Sequence, residues 1–279
     1  MKKIYLCAIS NISSGNCSED CSFCTQSAYN NANIEKYKEK DIKIIVNEAL
    51  LAKQNRAIGF CLVSAGKGLN DKKVEFVCKA AHAISSKVST LNLIACNGTA
   101  TKEQLIELKK CGIKSYNHNL ETSKEYYPKI CSTHGWDERY ETCINVKKAG
   151  LKLCTGGIFG LGESENDRES FLNSLKELSP TSIPLNFFHP NPALPLKNKI
   201  FDIQKALYWI KKVSSTLPNS RIMVAGGREI TFKDRWPEIF KYGANSIVIG
   251  NYLTTKGNQA KKDIDTIIEL GYKIADSCK

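Results

Sequence analysis

The stretch Thr90-Leu-Asn-Leu-Ile-Ala-Cys96-Asn-Gly-Thr-Ala-Thr101-Lys-Glu-Gln-Leu-Ile-Glu-Leu-Lys-Lys-Cys111-Gly112-Ile113-Lys-Ser-Tyr-Asn117-His-Asn119 decides the fold. Two apolar, β-rich runs, Thr90–Cys96 and Ile113–Asn119, enclose a segment with the apolar spacing of a helix, including Leu105 and Leu108. Thr101-Lys-Glu-Gln104 reads as a capping box, and Gly112 stands where a helix must stop. Strand, capped helix, glycine and strand in this order make a βαβ unit.

The same punctuation recurs outward in both directions. Further candidate strands are Ile4–Ser10, Ile58–Ser64, Leu151–Gly157, Ile183–His189, Arg221–Ala225 and Ser246–Gly250. Ile42, Ile45, Val46, Ala49 and Leu50 form one helical face, and Lys148-Ala149-Gly150-Leu151 repeats the glycine stop. About eight such units in 279 residues suit a closed (βα)8 barrel, with a doubly wound open sheet as the alternative. No linker, low-complexity segment or short repeat interrupts the chain, so a single domain over residues 1–279 is expected.

Hydrophobic residues make up 42% of the chain, and no apolar run approaches the ~20 residues that span a bilayer. The N-terminus is too short and polar for a secretory signal, so a cytoplasmic protein is expected. There, twelve cysteines serve metal binding or chemistry rather than bridges. The net charge of +12 is dispersed, as in Lys109-Lys110, Lys147-Lys148 and Lys211-Lys212, which fall on helix faces. A nucleic-acid-binding iron–sulfur protein is one reading of that charge, and it would require retention on tRNA with steep salt dependence. Solvated helix faces, or the docking of an acidic electron donor, explain the charge more simply.

Chemistry concentrates in Cys17-Ser-Glu-Asp-Cys21-Ser-Phe-Cys24. Three closely spaced thiolates hold three irons of a [4Fe–4S] cube and leave the fourth iron open to a small molecule. A structural zinc site or a ferredoxin-type carrier would need a fourth ligand. The CxxxCxxC spacing after a hydrophobic strand resembles the signature of radical S-adenosylmethionine (SAM) enzymes. Cys61, Cys96 and Cys154 lie in or at the ends of predicted strands, where inward side chains of a barrel converge. Cys78, Cys111, Cys131 and Cys143 fall on segments read as helical, and Cys278 in the tail, where each is expected to be a small apolar filler.

Over nearly its full length the chain resembles the biotin synthase family. The resembling segments are Asn16–Ser27, Gly59-FCLVSAG, Ile94-ACNGT, Tyr116-NHNLETS, Leu153-CTGGIFGLGE, Ile183-PLNFF, Ala225-GGRE and Ala244-NSIVIGNYLTT. The resemblance implies that Cys17, Cys21 and Cys24 hold a [4Fe–4S] cluster on which SAM is reductively cleaved. The resulting radical removes hydrogen from dethiobiotin. It further implies that Cys61, Cys96 and Cys154 hold an auxiliary cluster, [2Fe–2S] or larger, which donates sulfur. By the same likeness Asn119, Glu121 and Arg139 bind SAM, Gly156 and Ile158 lie against it, and Asn117 and Asn186 meet the substrate's ureido ring. A homodimer reduced by flavodoxin or ferredoxin is implied as well. His118 is read as structural.

One departure from the family stands out. The arginine that serves as fourth auxiliary ligand in better-known members lies five residues before the Arg of the Gly-Arg-Glu element, which here is Met223. Arg221 shares its strand face one pleat away. Cys7, in the first strand, lies two strands from Met223 in a closed barrel, so either Arg221 or Cys7 is expected to substitute, the latter giving an all-thiolate site with Cys61, Cys96 and Cys154. Relatives with N-terminal helices cover the barrel base, so a minimal barrel closed below by a partner subunit is expected. Another radical SAM barrel acting on a different small molecule remains the alternative enzyme.

Overall fold

Residues 2–278 are described by a computed structural model. In chain order the elements are β1 (Lys3–Ser13), α1 (Ile42–Gln54), β2 (Gly59–Ser64), α2 (Asp71–Ser85), β3 (Asn92–Cys96), α3 (Lys102–Lys110), β4 (Ser115–Asn117), α4 (Trp136–Lys148), β5 (Lys152–Cys154), β6 (Gly157–Phe159), α5 (Glu165–Leu178), β7 (Ser182–Phe187), α6 (Ile203–Thr216), β8 (Arg221–Val224), α7 (Arg228–Phe232), β9 (Ser246–Val248), α8 (Ala260–Glu269) and β10 (Lys273–Ile274). Short 3-10 turns cover Tyr127–Lys129 and Lys233–Phe240.

All named strands pair in parallel, and the sheet closes on itself. β1 meets β2 on one side, with Ile9 opposite Cys61, and β9 on the other, with Cys7 opposite Val248. β5 and β6 are successive pieces of one barrel position, both pairing with β7. At the break between them Gly156 presses against Pro184, and a Cβ there would overlap the Pro184 carbonyl. β10 adds beside the start of β1, with Lys3 opposite Lys273, so the chain's own C-terminal segment lies at the barrel base. Closure excludes the open-sheet alternative.

Local sequence accounts for the element ends. In α3 the Thr101 hydroxyl accepts from the Gln104 N–H at 3.3 Å and the Gln104 side chain accepts from the Thr101 N–H at 3.0 Å, satisfying two donors that a helix start leaves unpaired. Apolar faces of the helices pack on the outside of the barrel. Phe159, Phe187, Phe201 and Trp209 form one aromatic block between β6, β7 and α6. Leu50, expected on the apolar face of α1, is instead exposed. Arg228 is fully buried and reaches Asp263, equally buried, at 2.6 Å, tying α7 to α8.

Two cysteine assignments need correction. Cys78 in α2 and Cys111 at the end of α3 are joined by a disulfide with Cα atoms 5.2 Å apart, because the adjacent helices bring those faces together. Cys131 does not lie on a helix. It sits in the loop between the Tyr127–Lys129 turn and α4.

Candidate active site

Strands of a parallel barrel send alternate side chains inward, and their C-terminal ends open on one mouth. Inside the mouth lies a cavity of about 360 Å³ lined by Cys7, Cys24, Cys61, Cys96 and Cys154, together with Asn117, Asn119, Glu121, Ile158, Asn186 and Met223. The four strand cysteines come from β1, β2, β3 and β5, and Cys24 reaches the cavity from the loop after β1. Cys7, Cys61, Val63 and Ile94 also form a small buried cluster separate from the main core, with Cys96 and Met223 packed against it.

Room for the Cys7 thiol comes from the residue opposite. Cys7 pairs with Gly59, and a Cβ on Gly59 would lie 3.1 Å from Cys7 Sγ and 3.3 Å from Ile94 Cδ1. Burial, with a smaller contribution from neighbouring thiols, pushes Cys7 and Cys154 up to about 12 and drives Cys61 well above its ordinary value. Burial also raises Cys96, to about 11, against a hydrogen bond from Asn117 Nδ2 at 3.4 Å. Among the described residues, no lysine, arginine or histidine lines the cavity. Four thiols held up by desolvation become good ligands when a metal supplies the charge, which is the donor set of an iron–sulfur cluster.

Arg221 stays outside that cavity, although its charge acts on Cys7 and Cys154 against the effect of burial. Its guanidinium lies 3.8 Å from the centre of the Tyr5 ring and lines a second, smaller cavity at the base together with Lys152 and Cys278. Cys7, Cys154 and Met223 line both cavities and so form the partition between them.

The loop Cys17–Cys24 is folded by its own backbone. Cys17 N donates to Gln26 O, Ala28 N to Cys17 O and Cys24 N to Cys21 O. Asn30 Nδ2 donates to the carbonyls of Cys21 and Cys24 at 3.1 and 2.8 Å. Cys21 packs beside Tyr127, Ile130, Leu161 and Phe188. Cys24 alone of the three faces the upper cavity.

Beneath the mouth, Arg139 is an organising group rather than a helix-surface charge. Its Nε donates to Asn119 O at 2.6 Å, Nη2 to Glu121 Oε1 at 3.1 Å and Nη1 to His134 Nε2 at 3.0 Å. Glu121 has a left-handed φ of 69°, an uncommon conformation held by backbone bonds from Glu121 N to Gly156 O and from Ile158 N to Glu121 O. Burial raises the Glu121 carboxyl while Arg139 opposes that rise. Glu121 Oε2, Asn119 Oδ1 and Asn117 Oδ1 are buried without a partner, which marks them as acceptors awaiting donors. Sugar hydroxyls and amide N–H groups are such donors.

The remaining expected residues fall out differently. Ile158 lines the cavity, whereas Gly156 packs behind it against Pro184. Asn186 lines the cavity too, but its amide holds backbone in place, donating to Gly157 O at 3.2 Å and accepting from Gly226 N at 2.9 Å. His118 is buried, burial lowers its basicity strongly, and its Nε2 has no hydrogen-bond partner.

Sequence reasoning missed Glu19, Asp20, Cys131 and His134. Cys131 Sγ lies 3.7 Å from Cys21 Sγ, and His134 Nδ1 lies 2.6 Å from Glu19 Oε2. The available signal was the Cys131-Ser-Thr-His134 run placed between strand and helix rather than inside one. Cys278, read as a tail residue, lines the base cavity.

Comparison with known proteins agrees with this arrangement. The Radical SAM superfamily matches residues 11–175, and the Biotin and Thiamin Synthesis associated domain matches residues 184–273. A biotin synthase of Nautilia profundicola is 60% identical over the whole of both chains. One from Aliarcobacter butzleri is 58% identical, covering 99% of this chain and 98% of its own. Among solved structures, the FeFe-hydrogenase maturase of Carboxydothermus hydrogenoformans superposes with a TM-score of 0.81 at 17% identity, over 97% of this chain and 67% of its own. Methylornithine synthase gives 0.81 at 16%, over 98% and 84%. These two similarities establish the barrel, and the sequence relatives establish the lineage: the chain belongs to the biotin synthase family of the radical SAM superfamily.

Proposed function

We propose that the chain inserts sulfur into dethiobiotin to form biotin, using SAM and two iron–sulfur clusters. The observation that carries this reading is the convergence of Cys7, Cys61, Cys96 and Cys154 into one cavity with Cys24, Asn119 and Glu121. Cys17, Cys21 and Cys24 would hold the [4Fe–4S] cluster. Cys61, Cys96 and Cys154 would hold the auxiliary cluster, with Cys7 as fourth ligand where Met223 has no ligating nitrogen. When bound, the first centre with SAM supplies the radical that breaks unactivated C–H bonds, and the second supplies sulfur.

The protein's own groups bind and orient. Glu121, fixed by Arg139, offers a carboxylate oxygen to ribose hydroxyls, and Asn119 offers its side-chain oxygen beside it. Asn117 Oδ1 is an open acceptor for a ureido N–H. Asn186 supports the wall through Gly157 and Gly226, so its role toward substrate is chiefly positional. Val63, Ile94, Ile158 and Leu253 exclude water from the reacting carbons. The reductant is an acidic carrier of the flavodoxin or ferredoxin type in the cytoplasm, a pairing that the net charge of +12 supports, and a homodimer is expected.

Anaerobic incubation with SAM, reductant and dethiobiotin, followed by mass detection, tests the activity. Deoxyadenosine without biotin would discard the substrate. Mössbauer spectra of Cys7→Ala test the fourth ligand, and an auxiliary signal identical to wild type would remove Cys7 from the site.

A further inference from the structure

The loop over residues 130–135 is latched onto the cluster loop by a dense set of polar contacts. The Asp20 carboxylate accepts from Ser132 N at 2.9 Å, Thr133 N at 3.2 Å, Thr133 Oγ1 at 3.1 Å, Cys131 Sγ at 3.2 Å and the Ser132 hydroxyl. Ser22 N donates to Ile130 O at 2.9 Å. The latch joins segments distant in sequence, and it delivers His134, a buried ring set between the cluster loop and Arg139.

The two edges of that ring face different partners. Arg139 Nη1 stands 3.0 Å from His134 Nε2, and a guanidinium only donates, so Nε2 is the accepting nitrogen. The Tyr127 hydroxyl, 2.7 Å away, is a second donor to it. The proton of a neutral imidazole then rests on Nδ1, where it faces Glu19 Oε2 at 2.6 Å and Cys131 Sγ at 3.3 Å. His134 therefore has no lone pair at Nδ1 for a metal, although Cys21, Cys131 and His134 lie close enough together to suggest one. Glu19 belongs to the Cys17–Cys24 run, while Arg139 grips Glu121 Oε1 and leaves Glu121 Oε2 open. A chain of polar contacts, Glu19 to His134 to Arg139 to Glu121, thus links the cluster loop to an unpartnered carboxylate oxygen. Glu19, His134 and Glu121 are all buried, so a lost partner along the chain is not readily replaced by water.

We propose that His134 is a positioning residue that, anchored by Glu19, holds the Arg139 fork and through it aims the Glu121 carboxylate at the ribose hydroxyls of SAM. The inference rests on the reading of Glu121 as the ribose acceptor. Each nitrogen of the planar fork has its own acceptor: Nε has Asn119 O, Nη2 has Glu121 Oε1 and Nη1 has His134 Nε2. Loss of the third lets the fork tilt about the other two, and the carboxylate it carries then meets the hydroxyls less well. The Asp20 latch keeps His134 in place, which gives those contacts a purpose beyond closing a loop.

The test is anaerobic equilibrium dialysis of the reconstituted holoenzyme, without reductant, against SAM and against a SAM analogue lacking both ribose hydroxyls. Wild type, His134→Asn and His134→Gln are compared, with iron and sulfide counted in each. His134→Asn keeps a donor for Glu19 but has nothing to accept from Arg139, whereas the longer His134→Gln brings a carbonyl toward the place of Nε2. His134→Asn is expected to bind SAM about fivefold more weakly, near the net worth of one hydrogen bond, with His134→Gln within about twofold of wild type. Affinity for the analogue should stay the same in all three. Unchanged SAM binding in His134→Asn overturns the proposal, as does an equal loss for SAM and the analogue, which would mean general damage to the site. A His134→Gln as weak as His134→Asn overturns it too, and so does loss of the radical cluster from both folded variants, because His134 would then serve cluster retention. Glu121→Ala separates the two levels: an undiminished preference for SAM over the analogue there would refute the ribose reading itself, independently of His134.

Discussion

Replacing Gly59 by Ala probes the device that admits Cys7 to the cavity. Gly59 has no left-handed φ, so alanine fits its backbone and lowers the unfolded chain's entropy, a gain of about 0.4–1 kcal/mol. Against this, the new Cβ lies 3.1 Å from Cys7 Sγ and 3.3 Å from Ile94 Cδ1. The Ile94 contact is with the end of a side chain that can turn. Cys7 is buried among the strands and must give by a few tenths of an ångström. Overpacking of this kind costs roughly 1–3 kcal/mol. The net expectation for Gly59→Ala is a destabilisation of about 1–2 kcal/mol. In a Cys7→Ala background the clash partner is gone, and the same substitution is expected to be neutral or slightly stabilising. Urea unfolding of the cluster-free wild type, both single variants and the double variant gives a coupling energy. A Gly59→Ala cost that is unchanged by Cys7→Ala would show that the thiol does not point at Gly59, and the four-thiol cavity would lose its support.

The Arg228–Asp263 pair should behave as a buried ion pair, since both side chains are fully enclosed. Asp263→Ala leaves the guanidinium uncompensated apart from Glu229 and should lower unfolding stability by about 3–5 kcal/mol, whereas Arg228→Met should cost clearly less; equal losses in urea titrations would contradict this. Arg139→Lys keeps the charge but loses the fork that serves Asn119 O, Glu121 and His134 together. SAM affinity, followed by equilibrium dialysis, should fall by about tenfold, corresponding to ~1.4 kcal/mol, and undiminished binding would show that Glu121 is fixed by its backbone alone.

Much of the architecture could be read directly from residue order. The Thr90–Asn119 unit announces a parallel βαβ layer because its capping box and glycine stop are local, and local hydrogen bonds form as the sequence dictates. The Cys17–Cys24 spacing likewise carries its chemistry within eight residues. Direction and distance were another matter. Whether Cys7 faces the cavity depends on its pairing with Gly59, and that Arg139 turns inward depends on where Asn119 and Glu121 lie in space. Asn186 looked like a substrate amide until the neighbouring backbone of Gly157 and Gly226 claimed both of its ends. Cys131 meets Cys21, and Cys78 bonds Cys111, only because closure of the barrel and packing of adjacent helices bring together distant parts of the chain. Residue order thus determined the repeating unit and the cluster motif, which depend on neighbours in the chain. Tertiary packing decided which side chains share a cavity, since register and loop contacts are long-range terms that no local pattern encodes.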